Sequence, residues 1–510
     1  MTLGALVAAA RSLSPDARAR VERAGRQDER VTGVTHDSRA AAPGVIFVAI
    51  RGQRADGAAF AEQAARRGAV AIVAETAEPP GLDVPWLRTP DARLALAELA
   101  NVAYGRPSEA LTVVGVTGTN GKTTTTYLLA AIFDAAGMPC GRIGTVTVRV
   151  GPNQADERDA SHTTPEAPEV QRLLREMADR GCKACAMEVS SHALVLQRVS
   201  GVRFAAGIFS NLTRDHLDFH VDMQQYFAAK RRLFELLPAG APSIVNVDDP
   251  WGQELAASLP RVITYGIQRA ADVRAVAIQT TLEGLAFQVE AQGATLSIRS
   301  PLVGRPNVYN ILSVVAAGLA LGLPGAAIES GIAKLDGVPG RFQMVSGTTD
   351  DVRVVVDYAH TDDALKNLLE TARPLATGRL ITVFGCGGDR DRTKRPLMGA
   401  VAARLSDLVV LTSDNPRSED PLRIIEEIKL GIVQPVAPGA PKRVATPLVV
   451  NPDRRLAIEQ AIRSAHPGDL VIIAGKGHER YQVIGDRTLP FDDVEVAHAA
   501  LDGRRRGSRV

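Results

Sequence analysis

The sequence predicts an α/β protein of three domains, in which parallel sheets organise the second and third. Short runs rich in Val, Ile and Leu alternate with stretches of helical periodicity along most of the 510 residues, as in strand–helix–strand units. Two segments that contain glycine and proline, Gly105–Pro107 and Gly337–Arg341, interrupt this alternation. We therefore predict domains at residues 1–107, 108–338 and 339–510.

The composition indicates an ordinary globular chain with neither a nucleic-acid partner nor a membrane span. Hydrophobic residues make up 45%, and 59 basic residues nearly balance 57 acidic ones. No run of about 18 apolar residues is present, and apolar Met1–Leu13 lacks the basic start of a signal peptide. Cys182 and Cys185 have no second pair to complete a zinc site, so we predict free thiols. A cytoplasmic protein fits these features.

In the first domain, strand-like runs at Val45–Ile50 and Ala69–Val73 alternate with a helix-like segment at Phe60–Arg67. Polar turns at residues 35–39 and 52–57 lie beside the strands. Alone, these turns indicate only loops.

The stretch Leu111–Leu129 predicts a phosphate-binding loop between a buried strand and a helix. A glycine-rich turn lets backbone amides approach phosphates, and the helix N-terminus adds partial positive charge. Lys122 would reach the terminal phosphates, and the Thr123 hydroxyl would hold Mg²⁺. Val116 stands where the strict pattern has glycine, so the loop is a variant. The turn consists of Gly118, Thr119, Asn120, Gly121, Lys122, Thr123 and Thr124.

Further polar residues follow the next strands of this second domain. Glu188 ends the strand Ala184–Val189 and would give a second Mg²⁺ contact, since ligands of open parallel sheets sit at the carboxyl ends of strands. His216 follows another strand but is an unusual ligand for a hard cation. Lys230 lies on an amphipathic helix and, taken alone, has the pattern of an exposed lysine. We expect antiparallel strands over Val262–Ile298.

The third domain repeats the strand–helix pattern, and each of its strands ends in a polar cluster. Strands are predicted at Val352–Val356, Leu380–Phe384, Leu408–Leu411 and Leu470–Ile473. The clusters that follow them lie at residues 357–360, 385–391, 413–417 and 475–479. Together they predict one wall of a cleft that faces the phosphate loop.

In order and spacing, these motifs resemble the Mur ligase family, the ATP-dependent amino-acid ligases of peptidoglycan synthesis. The resemblance covers essentially the whole chain and rests on GTNGKTT, MEVSSHAL, NLTRDHLDFH, YFAAKRRLF, GRPNVYN, GVPGRFQ, VDYAH, FGCGGDRDRTKRP, DNPR and AGKGHE. It is strongest for the members that add meso-diaminopimelate to UDP-N-acetylmuramoyl-L-alanyl-D-glutamate. It implies ATP as co-substrate, two Mg²⁺ ions, an acyl-phosphate intermediate and only small-molecule partners. We expect a monomer.

The resemblance also implies a role for each matching position. Catalytic roles fall on Lys122, Lys230, Glu188 and His216. Metal ligands are Thr123, Glu188, His216 and Lys230, the last as a carbamate formed with CO₂. ATP contacts fall on Gly118 to Thr124 and on Asn310, Arg341 and Asp357. UDP-substrate contacts fall on His36, Ser38, Gln53, Arg54, Ala55, Thr163, Thr164, Ser190 and Arg198. Diaminopimelate contacts fall on Arg390, Asp414, Asn415, Pro416, Arg417, Gly475 and Glu479.

Four positions depart from the family pattern without removing a group that the chemistry requires: His162, Leu196, Asp362 and Ser413. Three alternatives stay open. A folylpolyglutamate synthase shares the fold but is not expected to carry DNPR at 414–417. A lysine-adding relative differs chiefly at that same run. A P-loop switch protein without ligase activity would need neither Glu188, His216 and Lys230 nor the clusters of the third domain.

Overall fold

The computed structural model describes residues 1–52, 55–291, 293–433 and 446–507. Gln53 and Arg54, two of the predicted UDP-substrate contacts, lie outside these residues. The predicted α/β organisation is confirmed, because three large sheets, each built wholly or largely of parallel strands, follow one another along the chain. In the part of the chain that the structure describes, no helix is both long and apolar enough to cross a membrane.

The first sheet has four parallel strands in the order β1-β2-β3-β4. Every residue of β3 is buried, because helices cover both faces and an apolar run suits such a strand. The strands are β1 Gly33–Thr35, β2 Val45–Ala49, β3 Ala71–Ala74 and β4 Trp86–Arg88. The helices are α1 Leu3–Ala9, α2 Ala17–Arg23, α3 Ala61–Arg66 and α4 Ala92–Ala103.

The second sheet has 11 strands, with β5 in its interior between β10 and β9, both parallel to it. The strands are β5 Thr112–Thr117, β6 Cys140–Ile143, β7 Thr147–Arg149, β8 Glu157–Asp159, β9 Ala184–Glu188, β10 Ala206–Phe209, β11 Ser243–Asn246, β12 Val262–Gly266, β13 Val273–Thr281, β14 Gly284–Ala291 and β15 Ala294–Ser300. The helices are α5 Lys122–Ala135, α6 Ala167–Asp179, α7 Ser191–Val195, α8 Leu217–His220, α9 Met223–Glu235, α10 Pro250–Ser258, α11 Arg305–Ala320 and α12 Gly325–Ala333. Helices α5, α11 and α12 pack on one face, and α6 and α9 pack on the other.

Two sequence expectations for this region need correction. Strand β12 pairs in parallel with β11, so only β13 to β15 form the antiparallel part of Val262–Ile298. Lys230 is 1% exposed, because α9 turns that face towards the sheet and the phosphate loop. All four cysteines are buried and free, which agrees with the predicted thiols.

The third sheet has six strands in the order β16-β17-β21-β18-β19-β20, and all but β16 run parallel. The strands are β16 Gln343–Met344, β17 Arg353–Asp357, β18 Leu380–Phe384, β19 Leu408–Leu411, β20 Leu448–Val450 and β21 Leu470–Ala474, and a hairpin follows at β22 Tyr481–Ile484 and β23 Arg487–Pro490. The helices are α13 Asp362–Ala372, α14 Lys394–Leu405, α15 Pro421–Val433, α16 Arg454–Ser464 and α17 Asp493–Gly507.

Side-chain hydrogen bonds join the third sheet's polar end to the second. Asn120 Nδ2, in the phosphate loop, donates to Asp363 Oδ2 at 3.2 Å. Arg341 Nη2 donates to Thr123 Oγ1, also at 3.2 Å. The carboxyl ends of β17, β18, β19 and β21 lie at one edge of the third sheet. The two hydrogen bonds place this edge beside the phosphate loop.

Candidate active site

The phosphate loop connects β5 to α5 and depends on two glycines. Gly118 and Gly121 have φ values of 146° and 88°, which L side chains rarely adopt. A Cβ on Gly118 would lie 1.9 Å from Ser210 Oγ, and one on Gly121 would lie 2.3 Å from Asn310 Oδ1. No side chain caps the start of α5. The geometry suits a loop whose backbone approaches an anion at a helix N-terminus.

Two lysines meet at this loop, the half-buried Lys122 and the buried Lys230. Lys122 Nζ donates to the carbonyl oxygens of Gly118 and Thr119 at 2.9 and 2.8 Å. Lys230 Nζ reaches the same Gly118 oxygen at 2.7 Å. Burial lowers the pKa of both lysines, and the charge of Lys122 lowers the pKa of Lys230 further. Lys230 is thereby shifted towards its neutral, nucleophilic amine form.

Glu188 ends β9, one strand from the phosphate loop, and is fully buried. Thr145 holds both oxygens of its carboxylate, because the Thr145 amide donates to Oε1 at 2.8 Å and the hydroxyl donates to Oε2 at 2.9 Å. Thr145 Oγ1 also lies 3.0 Å from Thr163 Oγ1. Thr145 was not anticipated from the sequence, where the only signal is a Gly-Thr pair after β6.

The other residues expected to hold the muramoyl dipeptide gather beside Glu188. Thr164 Oγ1 donates to the Glu188 carbonyl at 2.8 Å and accepts from the Ser190 amide at 3.1 Å. Arg198 Nη1 donates to the Thr164 carbonyl at 3.0 Å, and Arg198 also pairs with Glu166 at 2.5 Å. These contacts place a cation and several hydroxyls at one position next to the carboxylate.

His216 lies at the start of α8 in a left-handed backbone conformation. Asp215 accepts from its backbone amide at 2.8 Å and lies 3.4 Å from its Nε2. Burial nevertheless lowers the pKa of His216 to about 4. Its ring is therefore neutral near pH 7 and keeps a nitrogen lone pair that could bind a cation.

The donor set fits a Mg²⁺ ion that is held largely by a phosphate ligand. Within the described residues, no group of three or more His, Cys, Asp or Glu side chains could hold a metal on its own. Mg²⁺ usually keeps several waters and binds one or two carboxylates together with substrate phosphates. Glu188 and the Thr123 hydroxyl are donors of this type. Lys230 could add an anionic oxygen only as a carbamate.

Residues expected to contact the nucleotide line the other side of the loop. The guanidinium of Arg341 lies 4.6 Å from the centre of the Tyr358 ring. Asp357 accepts from the amides of Phe342 and Ala359 at 2.6 and 2.8 Å. Burial raises the pKa of Asp357. The contact with Tyr358 and the hydrogen bond to Thr123 hold Arg341 between the two domains.

The residues expected to hold the amino acid lie together at the end of the third sheet. Asn415 Nδ2 donates to Glu479 Oε2 at 2.9 Å. A Cβ on Gly475, whose φ is 116°, would lie 2.7 Å from Asp414 Oδ2. Arg417 Nη1 donates to the Gly388 carbonyl at 2.7 Å. Pro416 lies between Asn415 and Arg417, and Arg390 lies two residues after Gly388.

Lys476 is a member of this group that the sequence interpretation missed. Its side chain is fully buried and donates to Asn415 Oδ1 at 3.1 Å and to Glu479 Oε2 at 3.3 Å. Glu479 is one of the expected diaminopimelate contacts, and the ammonium group of Lys476 already lies beside its carboxylate. The available signal in the sequence was the position of Lys476 in the polar cluster that follows β21.

In the first domain, the described UDP-substrate candidates lie near the carboxyl end of β1 and after β2. Ser38 Oγ donates to Gln63 Oε1 at 2.8 Å, and His36 is exposed. The Ala55 carbonyl accepts from the Gly52 amide at 2.9 Å. These hydrogen bonds all stay within the first domain.

Comparison with known proteins finds three family models that match successive parts of the chain. Three family models match, described as the Mur ligase family catalytic domain at residues 30–104, the Mur ligase middle domain at 116–318 and the Mur ligase glutamate ligase domain at 340–477.

Individual relatives match over almost the whole length. UDP-N-acetylmuramoyl-L-alanyl-D-glutamate–2,6-diaminopimelate ligase from Gloeobacter violaceus is 48% identical, over 94% of this chain and 95% of its own. The ligase of the same name from Solibacter usitatus is 47% identical, over 93% and 94%. A solved structure of a ligase with this name superposes with a TM-score of 0.68 at 34% identity, covering 94% of this chain and 96% of that one.

Proposed function

The chain belongs to the Mur ligase family, and we propose that it joins meso-diaminopimelate to the D-glutamate of UDP-N-acetylmuramoyl-L-alanyl-D-glutamate, with ATP as co-substrate. This reaction builds a peptidoglycan precursor and forms ADP and phosphate. The observation that carries the proposal is the identity of 46–48% to ligases of that name over more than nine-tenths of the chain.

The first chemical step brings two anions together, because a substrate carboxylate attacks the γ-phosphorus of ATP. Lys122 would offset this repulsion from its position in the loop, and Arg341 would approach from the third domain. The bond from the γ-phosphorus to the bridging oxygen breaks, ADP leaves, and an acyl phosphate forms on the D-glutamate. Two cations at the same loop support this assignment.

The second step forms the amide. The free amine of diaminopimelate attacks the acyl carbon, the tetrahedral intermediate loses phosphate, and the amine loses a proton. Because water would hydrolyse an acyl phosphate, the site needs the two domains close together. The hydrogen bonds from Asn120 to Asp363 and from Arg341 to Thr123 support such a closed arrangement.

Thr123, Glu188, His216 and carbamylated Lys230 would hold the Mg²⁺ ions. Mg²⁺ would neutralise charge on the phosphates when bound. The neutral form of Lys230, favoured by burial and by Lys122, is the form that reacts with CO₂ to give a carbamate. The carbamate would then place an anion on Lys230, at the point where the ammonium groups of Lys122 and Lys230 otherwise meet.

Thr163, Thr164, Ser190 and Arg198 would hold the muramoyl dipeptide beside Glu188, and the first domain would hold the UDP group. The domain limits in this proposal remain 1–107, 108–338 and 339–510. We place the enzyme in the cytoplasm as a monomer, where ATP and the nucleotide-linked substrate are available.

The alternatives make different demands on the third domain. Asp414–Arg417 and the fixed position of Arg417 favour an amino acid with a carboxylate at its far end over lysine. A P-loop switch protein would have no use for a buried Lys230 or for the polar cluster of the third sheet.

Release of phosphate from ATP tests the proposed reaction. The ligase should release phosphate only when both the UDP-muramoyl dipeptide and diaminopimelate are present. Phosphate release that needs neither substrate would contradict the proposal and favour a simple nucleoside triphosphatase.

A further inference from the structure

Two loops of the third domain form one unit around the proposed amino-acid site. The first, residues 385–391, follows β18, and the second, residues 414–420, follows β19. The Gly388 amide donates to the Asn415 carbonyl at 2.9 Å. Each loop has one residue in a left-handed conformation, Asp389 and Arg417, both with φ of 52°. The loops therefore hold Arg390 and Arg417 in a fixed relation to each other.

Neither Arg390 nor Arg417 has a carboxylate within ion-pair distance among the residues that the structure describes. Arg390 Nη1 donates to the Asp389 carbonyl at 3.1 Å, and Arg417 Nη1 donates to the Gly388 carbonyl at 2.7 Å. Two guanidinium groups without a carboxylate partner suit a ligand that carries a carboxylate group.

The acidic residues of the first loop do not pair with these arginines because other groups occupy their carboxylates. Ser418 donates to the Asp389 carboxylate through its amide at 3.2 Å and its hydroxyl at 2.7 Å. Asp391 pairs with Arg214 of the central domain at 3.2 Å. Of the three acids in the second loop, Asp414 has its Oδ2 beside Gly475, and Asp420 accepts from the Leu422 amide at 2.9 Å. The third, Glu419, has the partner that matters most here.

Arg395 on α14 binds Glu419 through two parallel hydrogen bonds. Its Nη2 and Nη1 donate to Glu419 Oε1 and Oε2 at 2.7 and 2.9 Å. The guanidinium is fully buried and also donates to Glu427 at 2.8 Å and to the Gly387 carbonyl at 3.2 Å. These hydrogen bonds from Arg395 hold the pKa of Glu419 down at about 2. Glu419 is therefore charged at neutral pH and bound on the side of α14.

We propose that Arg395 is a positioning residue that keeps the Glu419 carboxylate away from Arg417, so that Arg417 stays free for the carboxylate of the incoming amino acid. The contacts of Gly388 show that Glu419 and Arg417 lie near each other. A Cβ on Gly388 would lie 3.3 Å from Glu419 Cβ, and the Gly388 carbonyl accepts from Arg417. The Asp389 amide also donates to Glu419 Oε1 at 2.6 Å, but it is neutral. Without Arg395, the charged carboxylate would turn to the cation of Arg417. The inference rests on the proposed function, since it deepens the role of Arg417.

Arg395→Met and Glu419→Gln test the proposal because they break the same ion pair with opposite consequences. Arg395→Met releases a carboxylate that competes with the substrate, and should raise the KM for diaminopimelate about tenfold or more, as expected when a charged hydrogen bond is lost. Glu419→Gln releases no charge and should leave that KM near the wild-type value. The KM for ATP should stay unchanged in both variants.

Three further variants complete the design. The double variant Arg395→Met with Glu419→Gln should bring the KM for diaminopimelate back towards wild type. Arg395→Gln is measured beside Arg395→Met. Glutamine can still donate a hydrogen bond to the Gly387 carbonyl, but it does not neutralise the charge of Glu419. Arg392→Met is the matched control, because Arg392 is exposed and pairs with Glu427 but not with Glu419.

The proposal is wrong if Glu419→Gln raises the KM as much as Arg395→Met, because both would then act by loosening the loops. It is also wrong if the double variant stays as impaired as Arg395→Met, or if both Arg395 variants keep the wild-type KM. Should neither Arg395 variant fold, the KM of Glu419→Gln decides alone. A wild-type protein that does not ligate diaminopimelate at all would instead contradict the proposed function.

Discussion

The ammonium groups of Lys122 and Lys230 donate to the same acceptor, the carbonyl oxygen of Gly118, at 2.9 and 2.7 Å. Two cations on one oxygen repel each other, and burial removes the water that would screen them. The arrangement is relieved if anions enter, either as phosphate beside Lys122 or as a carbamate on Lys230.

Lys230→Ala should nearly abolish ligase activity, because the site loses the anion that helps to hold Mg²⁺. Formate or acetate should restore part of the activity by replacing the carbamate oxygens. Arg231→Ala is the control, since Arg231 is an exposed neighbour on the same helix. Turnover of Lys230→Ala close to wild type would show that no carbamate is needed.

Removal of CO₂ should inactivate the wild-type enzyme reversibly. Only the neutral amine reacts with CO₂, and burial and the charge of Lys122 lower the pKa of Lys230, so the neutral form extends to lower pH than in an ordinary lysine. Activity in buffer free of CO₂ should therefore decline, more so as pH falls and the amine becomes protonated. Bicarbonate should restore it in wild type but not in Lys230→Ala. Full activity without CO₂ at every pH would count against the carbamate.

Lys122→Ala should cost roughly 2–4 kcal/mol of transition-state stabilisation, as for the loss of one preorganised charge-stabilising group. The measured quantity is kcat/KM for ATP, with Lys183→Ala as the control at an exposed lysine. Binding of the UDP-substrate should change little, because that ligand is assigned mainly to the first domain. A large loss of UDP-substrate affinity would show that assignment to be mistaken.

Arg417→Ala should raise the KM for diaminopimelate far more than the KM for ATP. About 1.5–3 kcal/mol is at stake for a hydrogen bond to a charged group. Arg417→Lys should also impair binding, because lysine keeps the charge but loses the two parallel donors. Arg423→Ala, an exposed arginine on α15, is the control. An unchanged KM for diaminopimelate in both Arg417 variants would exclude Arg417 from the site.

The fold could be predicted largely from the sequence because its signals are local. Apolar β-branched runs set the parallel strands, and β18 Leu380–Phe384 and β19 Leu408–Leu411 have the expected bounds. The direction of β12 could not be predicted in this way, since pairing with β11 depends on a neighbour distant in sequence. Alternating patterns show that a strand is half-buried but do not identify its partner.

Some residues of the candidate site could also be predicted from the sequence, and others could not. The phosphate loop is a contiguous motif, so its residues could be recognised without a structure. The burial of Lys230 could not, because a lysine on an amphipathic helix has the pattern of an exposed residue. Thr145, Lys476 and Arg395 could not be recognised from the sequence either, because these residues have partners that lie tens of residues away along the chain. Lys476 has a second partner, Glu479, which lies only across a turn.

The most direct test of the proposed function is a competition experiment. The protein is given ATP, Mg²⁺ and UDP-N-acetylmuramoyl-L-alanyl-D-glutamate with equal concentrations of meso-diaminopimelate, L-lysine and L-ornithine, and the UDP-linked products are identified by mass. The expected result is a single product that carries diaminopimelate. Lysine or ornithine products in comparable amounts, or no amide product while ATP is consumed, would contradict the account.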